Sequence, residues 1–331
     1  MIAREFLHSR IFRTWLVLVL AAWAVLSWSL TDVAFAVEHW YYPAVMVVGA
    51  FVAGSTPEGG GAVAFPVLSV FLSIDRGLAR DFSLMIQSVG MTSASLFVLT
   101  RPGVDRSVFR PLCWWIPVAF AGFVLGMATV QGLRVPIIQA LFLSLIAAFS
   151  VAYLCSDHRG VHDRLPAWHR GEFVAQLLVL LAGGMCASLF GTGADILLYT
   201  LLVTQFALKE KQATELSIVL MAALSVLGSL WRWLVQGELT RFQVQTWLLA
   251  APVVLFMAPL GSLVLRRVPG EWLLRAVVGL NVGQLLWFNV NRPTGEKFWW
   301  SLGFSACLFA GFCALMLRLA RRRRSAALLS S

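Results

Sequence analysis

The chain has 331 residues, of which 59% are hydrophobic and only 13% are charged, and its net charge is +10. Soluble domains carry about 25% charged residues, so this composition excludes a soluble globular protein and predicts a polytopic membrane protein. The positive excess is typical of cytoplasmic loops in membrane proteins, and it predicts no nucleic-acid partner.

The first apolar run, Trp15–Val37, follows several arginines. Its length exceeds the roughly 7–15 apolar residues of a signal peptide. A small-residue sequence near Ala36 resembles a cleavage site, which leaves removal of this segment as the alternative. We expect residues 1–40 to form a retained N-terminal anchor helix that starts in the cytoplasm and ends on the outer face.

The second run, Tyr41–Ser73, is longer than one span and is interrupted by GSTPEGGGAVAFP at positions 54–66. Backbone amides freed by such an interruption are tolerated at membrane depth only where protein or a watery cavity receives them. Gly59, Gly60 and Gly61 allow close approach of a ligand to the backbone. The half-helix that follows has free N–H groups, which suit an anion. A tightly packed helix kink is the alternative interpretation.

Three further runs complete a first unit, which we define as transport repeat 1, residues 41–155. Each run approaches the roughly 20 residues that cross a hydrocarbon core. These runs are Phe82–Leu99, Leu112–Val130 and Val135–Leu154.

Residues 156–172 are rich in charge and are predicted to form a cytoplasmic linker. A second glycine-broken run and three more spans then form transport repeat 2, residues 173–290. The last run and an arginine-rich tail form the C-terminal region, residues 291–331, and the tail predicts a cytoplasmic C-terminus. The runs are Phe173–Thr204, Ala213–Val235, Thr246–Leu265, Trp272–Val290 and Phe298–Leu317.

The two units share the order of their features at a shift of 134 positions. This shift aligns GAFVAGSTPEGGG at position 49 with GGMCASLFGTGAD at position 183, and ARDFS with ATELS. If both broken runs are re-entrant, 18 lysines and arginines lie inside and 7 outside, whereas crossing runs give 15 and 10. The positive-inside rule favours re-entrant runs. We therefore predict an all-α inverted repeat, with eight crossing helices and two re-entrant segments.

Polar groups beside the two breaks supply the predicted binding site. Ser55 and Thr56 either donate to an oxyanion or cap the first half-helix. Gln87 and Ser88 lie one turn past the loop and contact either the substrate or a neighbouring helix. The predicted substrate-binding residues are Ser55, Thr56, Gly59, Gly60, Gly61, Gln87, Ser88, Gly191, Thr192 and Gly193.

Two acids, Glu58 and Asp195, lie within the breaks. An ionisable residue at membrane depth is costly and indicates function, and a permanent carboxylate repels an anion in a low-dielectric site. We interpret Glu58 and Asp195 as coupling residues that are protonated when the substrate binds. Sodium coordination and capping of free amides by the carboxylate are the alternatives.

No nucleophile–base pair and no metal-ligand set stands out, so we predict no enzyme activity, no metal site and no cofactor. The five cysteines lie in or beside apolar runs without a CxxC pair, which is typical of packing residues.

The glycine-rich sequence GGGAVAFPVL, the later GTGAD and the two four-segment units resemble the TauE/SafE family of sulfite and organosulfonate exporters. The resemblance covers about Tyr41 to Leu317. It implies transport of small sulfur-containing anions such as sulfite, thiosulfate or organosulfonates. In this chain Pro57 and Glu58 precede the glycines, where many relatives are more apolar.

We therefore expect an alternating-access exporter of small sulfur-containing anions in the inner (plasma) membrane, with both termini in the cytoplasm. Its expected partners are the anionic substrate and the lipid bilayer. A passive anion channel and a non-transporting membrane assembly factor are the alternatives.

Overall fold

The computed structural model describes residues 7, 9–154, 162, 164–165, 170–267, 270–291 and 295–330. This part of the chain is almost entirely helical. Its helices, in chain order, are α1 (Arg10–Leu30), α2 (Val33–Glu38), α3 (Tyr41–Ser55), α4 (Gly61–Pro66, continued by a π-helical turn, Val67–Phe71), α5 (Arg76–Leu99), α6 (Leu112–Thr129, preceded by a 3-10 turn, Arg106–Phe109), α7 (Val135–Leu154), α8 (Arg170–Phe190), α9 (Ala194–Thr204), α10 (Glu210–Leu230, continued by a π-helical turn, Trp231–Val235), α11 (Arg241–Leu265), α12 (Gly270–Val290) and α13 (Gly295–Ser330).

Eight helices in the described ranges are long and apolar enough to cross a membrane, which confirms the predicted polytopic all-α class. Seven of them overlap predicted spans. The eighth is Glu172–Phe190, the first arm of the second broken run, which reaches span length by itself. The predicted span Trp272–Val290 forms α12 but is not among the eight. The number of spans therefore agrees with the prediction, but one member differs.

Both broken runs end in the same turn. Ile74 donates its N–H to the Leu68 carbonyl at 2.9 Å, and Leu208 donates to the Leu202 carbonyl at 3.1 Å. Each bond joins residues six positions apart, one more than in a Schellman turn, and the residue before each donor is left-handed. Ser73 (φ 55°) fills that position in the first run, and Ala207 (φ 49°), 134 positions later, fills it in the second.

The helix packing follows the same shift. The first arm of each broken run packs on a helix of the other unit, the second one after that unit's broken run. Thus α3 packs on α11, and α8 packs on α6. A Cβ on Gly126 would overlap Met185 and Ser188, and one on Gly261 would overlap Phe51 and the backbone at residue 54. These two contacts are related by the shift of 134 to 135 positions. The glycines let the helix backbones approach closely.

Contacts between helix termini define two opposite ends of the bundle. At the first end the Tyr42 ring lies against Phe82 and Phe242, with ring centroids 4.9 and 6.3 Å away. Because Tyr42 opens α3 and Phe82 lies in the second turn of α5, the first broken run starts and finishes at this end.

At the second end Arg101 pairs with Glu215 at 2.9 Å, and the rings of Trp114 and Phe173 lie 5.4 Å apart. Phe173 belongs to the start of α8 and Glu215 to the start of α10. The second broken run therefore starts and finishes at the end opposite to that of the first.

Candidate functional site

Two short non-helical stretches separate the arms of the broken runs. The first break, Thr56–Gly60, joins α3 to α4, and the second break, Gly191–Gly193, joins α8 to α9. Gly59 (φ 69°), Gly191 (φ 76°) and Gly193 (φ 111°) are left-handed, a conformation that side chains with a Cβ rarely adopt. The glycines that mark these positions in the sequence are thus required by the backbone.

The two breaks lie in direct contact. Thr192 Oγ1 lies 3.4 Å from the Glu58 carbonyl oxygen. A Cβ on Gly59 would overlap the Asp195 carboxylate, the Thr192 hydroxyl and the Gln87 side-chain carbonyl. A Cβ on Gly61 would lie 2.6 Å from the Thr192 Cβ. The described conformation is therefore closed where the breaks meet.

Gln87 joins α5 to the second break. Its amide nitrogen donates to the Gly191 carbonyl at 2.7 Å and to the Ser83 carbonyl at 2.9 Å. Ser88, the other predicted residue of this helix, is half-buried and donates to the Met85 carbonyl of its own helix at 2.7 Å. The fold thus brings Gln87 to the two breaks, whereas the described hydrogen bonds of Ser88 stay within α5.

Ser55 and Thr56 bond to the helix that precedes them. Their hydroxyls donate to the carbonyls of Phe51 and Val52 at 2.8 and 2.9 Å. Thr56 also accepts the N–H of Glu58 at 3.4 Å. In the closed conformation these hydroxyls therefore cap the end of α3, one of the two roles that the sequence left open.

Several backbone N–H groups at the breaks have no acceptor among the described residues. They belong to Gly59, Gly60 and Gly61 at the first break and to Thr192 and Ala194 at the second, and all five residues are buried. The first N–H groups of a helix have no intrahelical acceptor, and buried amides are nearly always paired. Amides in this arrangement favour a small anion.

The Glu58 carboxyl is enclosed by side chains from α7 and α12. Asn281 donates its amide to both carboxyl oxygens at 2.9 and 2.7 Å, and Ser150 donates its hydroxyl at 2.7 Å. Glu58 is 2% exposed. Neither Asn281 nor Ser150 is among the residues predicted from the sequence to form the site, so neither partner of Glu58 was recognised there.

The Asp195 carboxyl has one bonded and one unbonded oxygen. Its Oδ1 accepts the N–H groups of Gly193 and Ile196 at 3.0 and 3.1 Å, so it caps the start of α9. Its Oδ2 is buried and has no hydrogen-bond partner within the described ranges. Neither Glu58 nor Asp195 forms an ion pair with a described lysine or arginine. Two buried carboxyls therefore lie beside the breaks without a counter-charge in these ranges.

The comparison with protein families decides the assignment. The family model described as sulfite exporter TauE/SafE matches residues 41–288, from the start of α3 to the last turn of α12. The chain belongs to the TauE/SafE family. The match includes both breaks and both groups of helices that follow them. No curated protein and no solved structure matches the chain.

In this TauE/SafE protein a small cavity reaches the first break from the second end. Its volume is about 60 Å³, enough for only a few water molecules. A sulfur oxyanion therefore requires this space to widen. The cavity is lined by Ser55, Thr56, Pro57, Glu58, Phe149, Tyr153, Tyr199, Glu210, Thr214, Leu265 and Val277.

A buried charge network lies beside the second break, near the start of α5. Asp81, 1% exposed, accepts from Arg80 Nε at 2.8 Å, from Arg232 Nε and Nη2 at 3.0 and 2.8 Å, and from Gln243 Nε2 at 2.9 Å. A Cβ on Gly191 would overlap the Arg80 carbonyl. This network joins α5 to α10 and α11 and closes the first end of the TauE/SafE bundle.

Proposed function

We propose that the protein exports small sulfur-containing anions, such as sulfite, thiosulfate or organosulfonates, by alternating access. The family assignment supports the class of cargo. The observation that carries the mechanism is the meeting of two glycine-lined breaks that enter the helix bundle from opposite ends. In secondary transporters, discontinuous helices of this kind meet at the substrate site.

In the membrane, the two repeats have opposite orientations and both breaks lie near the midplane. The first end of the bundle faces outward and the second end faces the cytoplasm, where both termini also lie. This placement follows the distribution of loop lysines and arginines, 18 inside and 7 outside. It is also supported by the opposite ends at which the two broken runs start.

The anion binds to backbone N–H groups of both breaks. Gly59, Gly60 and Gly61 supply one group of donors and Thr192 and Ala194 the other. Since Gly59 and Thr192 lie in contact in the closed conformation, binding separates the two breaks. A protein that holds its cargo between two moving repeats exposes it first to one face and then to the other, whereas a passive channel needs a continuous path.

Protonation of Glu58 and Asp195 accompanies binding. Both carboxyls are buried beside the anion-binding amides, and an added negative charge repels them unless they are neutral. Proton binding therefore controls access to the site. Outward movement of one net negative charge is favoured by about 2.3 kcal/mol per 100 mV of inside-negative potential, so the potential drives export when the anion leaves without these protons, and each proton that crosses with the anion cancels one unit of that charge.

Transport by purified protein in proteoliposomes tests this function. Labelled sulfite, thiosulfate and sulfoacetate are loaded inside, and their efflux is followed with and without an imposed potential. We expect the protein to accelerate efflux of at least one of these anions, and Gly59→Ala to abolish it because its Cβ occupies the space between the breaks. Equal leakage from protein-free and protein-containing vesicles for all three anions would contradict the proposal.

A further inference from the structure

A second polar cavity lies at the first end of the bundle, between the turn that follows α4 and the starts of α7 and α13. Its volume is about 340 Å³, large enough for a tetrahedral oxyanion with bound water. Its lining combines charged and polar side chains with three aromatic rings, those of Phe71, Trp287 and Phe288. The residues used below are Ser69, Asp75, Arg76, Val135, Gln139 and Lys297.

Two donors that belong to lining residues are unsatisfied in the described part of the chain. The Ser69 hydroxyl belongs to a residue that is 6% exposed and has no hydrogen-bond partner among the described residues. Arg76 Nη1 is also buried without a described partner, while Nη2 is held by the Gln131 carbonyl at 3.2 Å. A buried donor without an acceptor is costly, and both a guanidinium and a hydroxyl donate to the oxygens of an oxyanion.

The local charge also favours an anion. Arg76 and Lys297 contribute two positive charges. The one carboxylate on the wall, Asp75, is exposed to solvent and accepts the Leu78 N–H at the start of α5. Its charge is therefore directed partly to the helix start and is screened by water.

The related position in the second repeat has the opposite charge. The shift of 134 positions places Glu210 where the first repeat has Arg76, and Glu210 lines the small cavity at the second end. Both repeats begin a helix at this position, α5 in the first and α10 in the second, but the first residue is Arg76 in α5 and Glu210 in α10. The charge of this cavity is thus not a requirement of the fold.

We propose that the cavity at the first end binds an oxyanion, either a free sulfur oxyanion or the phosphate of a lipid headgroup, through Arg76 and Ser69, while Lys297 adds positive charge to the lining. This site is distinct from the breaks, and its occupancy does not depend on which anion is transported. Gln139 donates its amide to the Ser69 carbonyl at 2.9 Å and so fixes the wall on which the Ser69 hydroxyl lies.

Cysteine labelling measures occupancy of this cavity directly. Val135 lines the cavity and is 43% exposed, so a Val135→Cys variant reports access to it. The full chain is purified, alkylated with N-ethylmaleimide and digested, and the modification of residue 135 is quantified by mass spectrometry, which separates it from the native cysteines. Sodium sulfate is compared with sodium chloride at equal ionic strength.

We expect sulfate to slow alkylation of residue 135. In the same background, Arg76→Gln raises the half-protecting sulfate concentration about tenfold or more, the loss expected for one charge-assisted hydrogen bond. Arg106→Gln removes one exposed positive charge at the second end and leaves the half-protecting sulfate concentration unchanged. We expect Ser69→Ala to weaken protection by sulfate as well. If the Arg76→Gln variant does not fold, Ser69→Ala is used as the test variant in its place.

Nanodiscs distinguish the two sources of the anion. Protection without sulfate in nanodiscs that contain phosphatidylglycerol, but not in phosphatidylcholine alone, identifies a lipid phosphate. Protection that requires sulfate in both identifies a free oxyanion. Unchanged alkylation under all of these conditions, or equal protection of Arg76→Gln and its parent, would overturn the proposal, whatever the outcome of the efflux assay.

Discussion

Gly61→Ala places one methyl group into the contact between the two breaks. Gly61 begins α4, and its added Cβ would lie 2.6 Å from Thr192 Cβ, 2.7 Å from Thr192 Cγ2 and 3.1 Å from Gln87 Nε2. Its φ is not in the left-handed region, so the methyl group, and not backbone strain, is the perturbation.

The size of the effect follows from this overlap. Carbon atoms pack at about 3.5–4.0 Å, so the methyl group enters the contact by roughly 1 Å. Overpacking of this kind costs about 1–3 kcal/mol, which lowers the population of the closed conformation by about 5- to 150-fold. In the proposed mechanism each transport cycle passes through this conformation, so we expect turnover to fall by a similar factor.

Gly60→Ala is the matched control. Its Cβ would meet the Gly49 carbonyl oxygen and Met46 Cε at 3.4 Å and Ala53 Cβ at 3.5 Å, which are ordinary contacts, and its φ of −68° suits alanine. Initial rates of thiosulfate efflux from proteoliposomes are measured for both variants and the parent, with the amount of folded protein determined by size-exclusion chromatography. Equal rates for Gly61→Ala and Gly60→Ala would refute the role of the contact.

Three further results follow from the structure. In the proposed mechanism the Glu58 carboxyl is neutral when the anion binds, so we expect thiosulfate transport by the parent to rise at low pH. Glu58→Gln should remove this rise, and an unchanged pH profile would eliminate a coupling role for Glu58. Asp81→Asn removes the carboxylate that the buried Arg80 and Arg232 share, leaves Arg232 with Glu238 as its remaining described acidic partner, and should lower stability by about 3–5 kcal/mol. Glu296→Gln breaks an exposed pair with Arg134 and should cost about 0–1 kcal/mol; thermal unfolding in detergent compares them, and equal shifts would contradict the difference in burial. Ala207→Gly should raise stability by up to about 1 kcal/mol because it removes the strain of a left-handed alanine. Ala213→Gly in α10 should lower stability by about 0.5–1 kcal/mol. The same unfolding assay compares the two variants, and a lower stability of Ala207→Gly than of Ala213→Gly would contradict the prediction.

The local geometry of the breaks could be predicted from the sequence because glycine is tied to particular backbone conformations. Gly59 and Gly193 are both left-handed and lie 134 positions apart. The shared left-handed turn at Ser73 and Ala207 follows the same shift, but no glycine marks it. The weak sequence repeat was therefore more informative about backbone geometry than about residue identity.

The partners of the buried acid could not be predicted because they are distant in sequence. Glu58 is separated from Ser150 by 92 positions and from Asn281 by 223. The spacing of polar residues along a single helix identifies a face, but it does not identify the helix that the face contacts. Asn281 is therefore not among the predicted site residues, although its amide bonds the acid at the first break.

The unequal arms of the two broken runs were also missed. The first arm, α3, has 15 residues and the corresponding arm, α8, has 21. Both runs are interrupted at related positions, but the apolar stretch before the second break is longer. Predicting the topology from breaks alone treats the arms as equivalent and overlooks that α8 has the length of a span.

Counterflow of labelled anion in proteoliposomes tests most directly whether a site between the two breaks carries cargo across the bilayer. Vesicles are loaded with unlabelled thiosulfate, diluted into a trace of labelled thiosulfate, and clamped at zero potential with potassium and valinomycin. We expect transient accumulation of label above equilibrium for the parent and for Gly60→Ala, and its loss for Gly61→Ala. Label that only equilibrates, or accumulation that is equal in all three proteins, would contradict alternating access through the breaks.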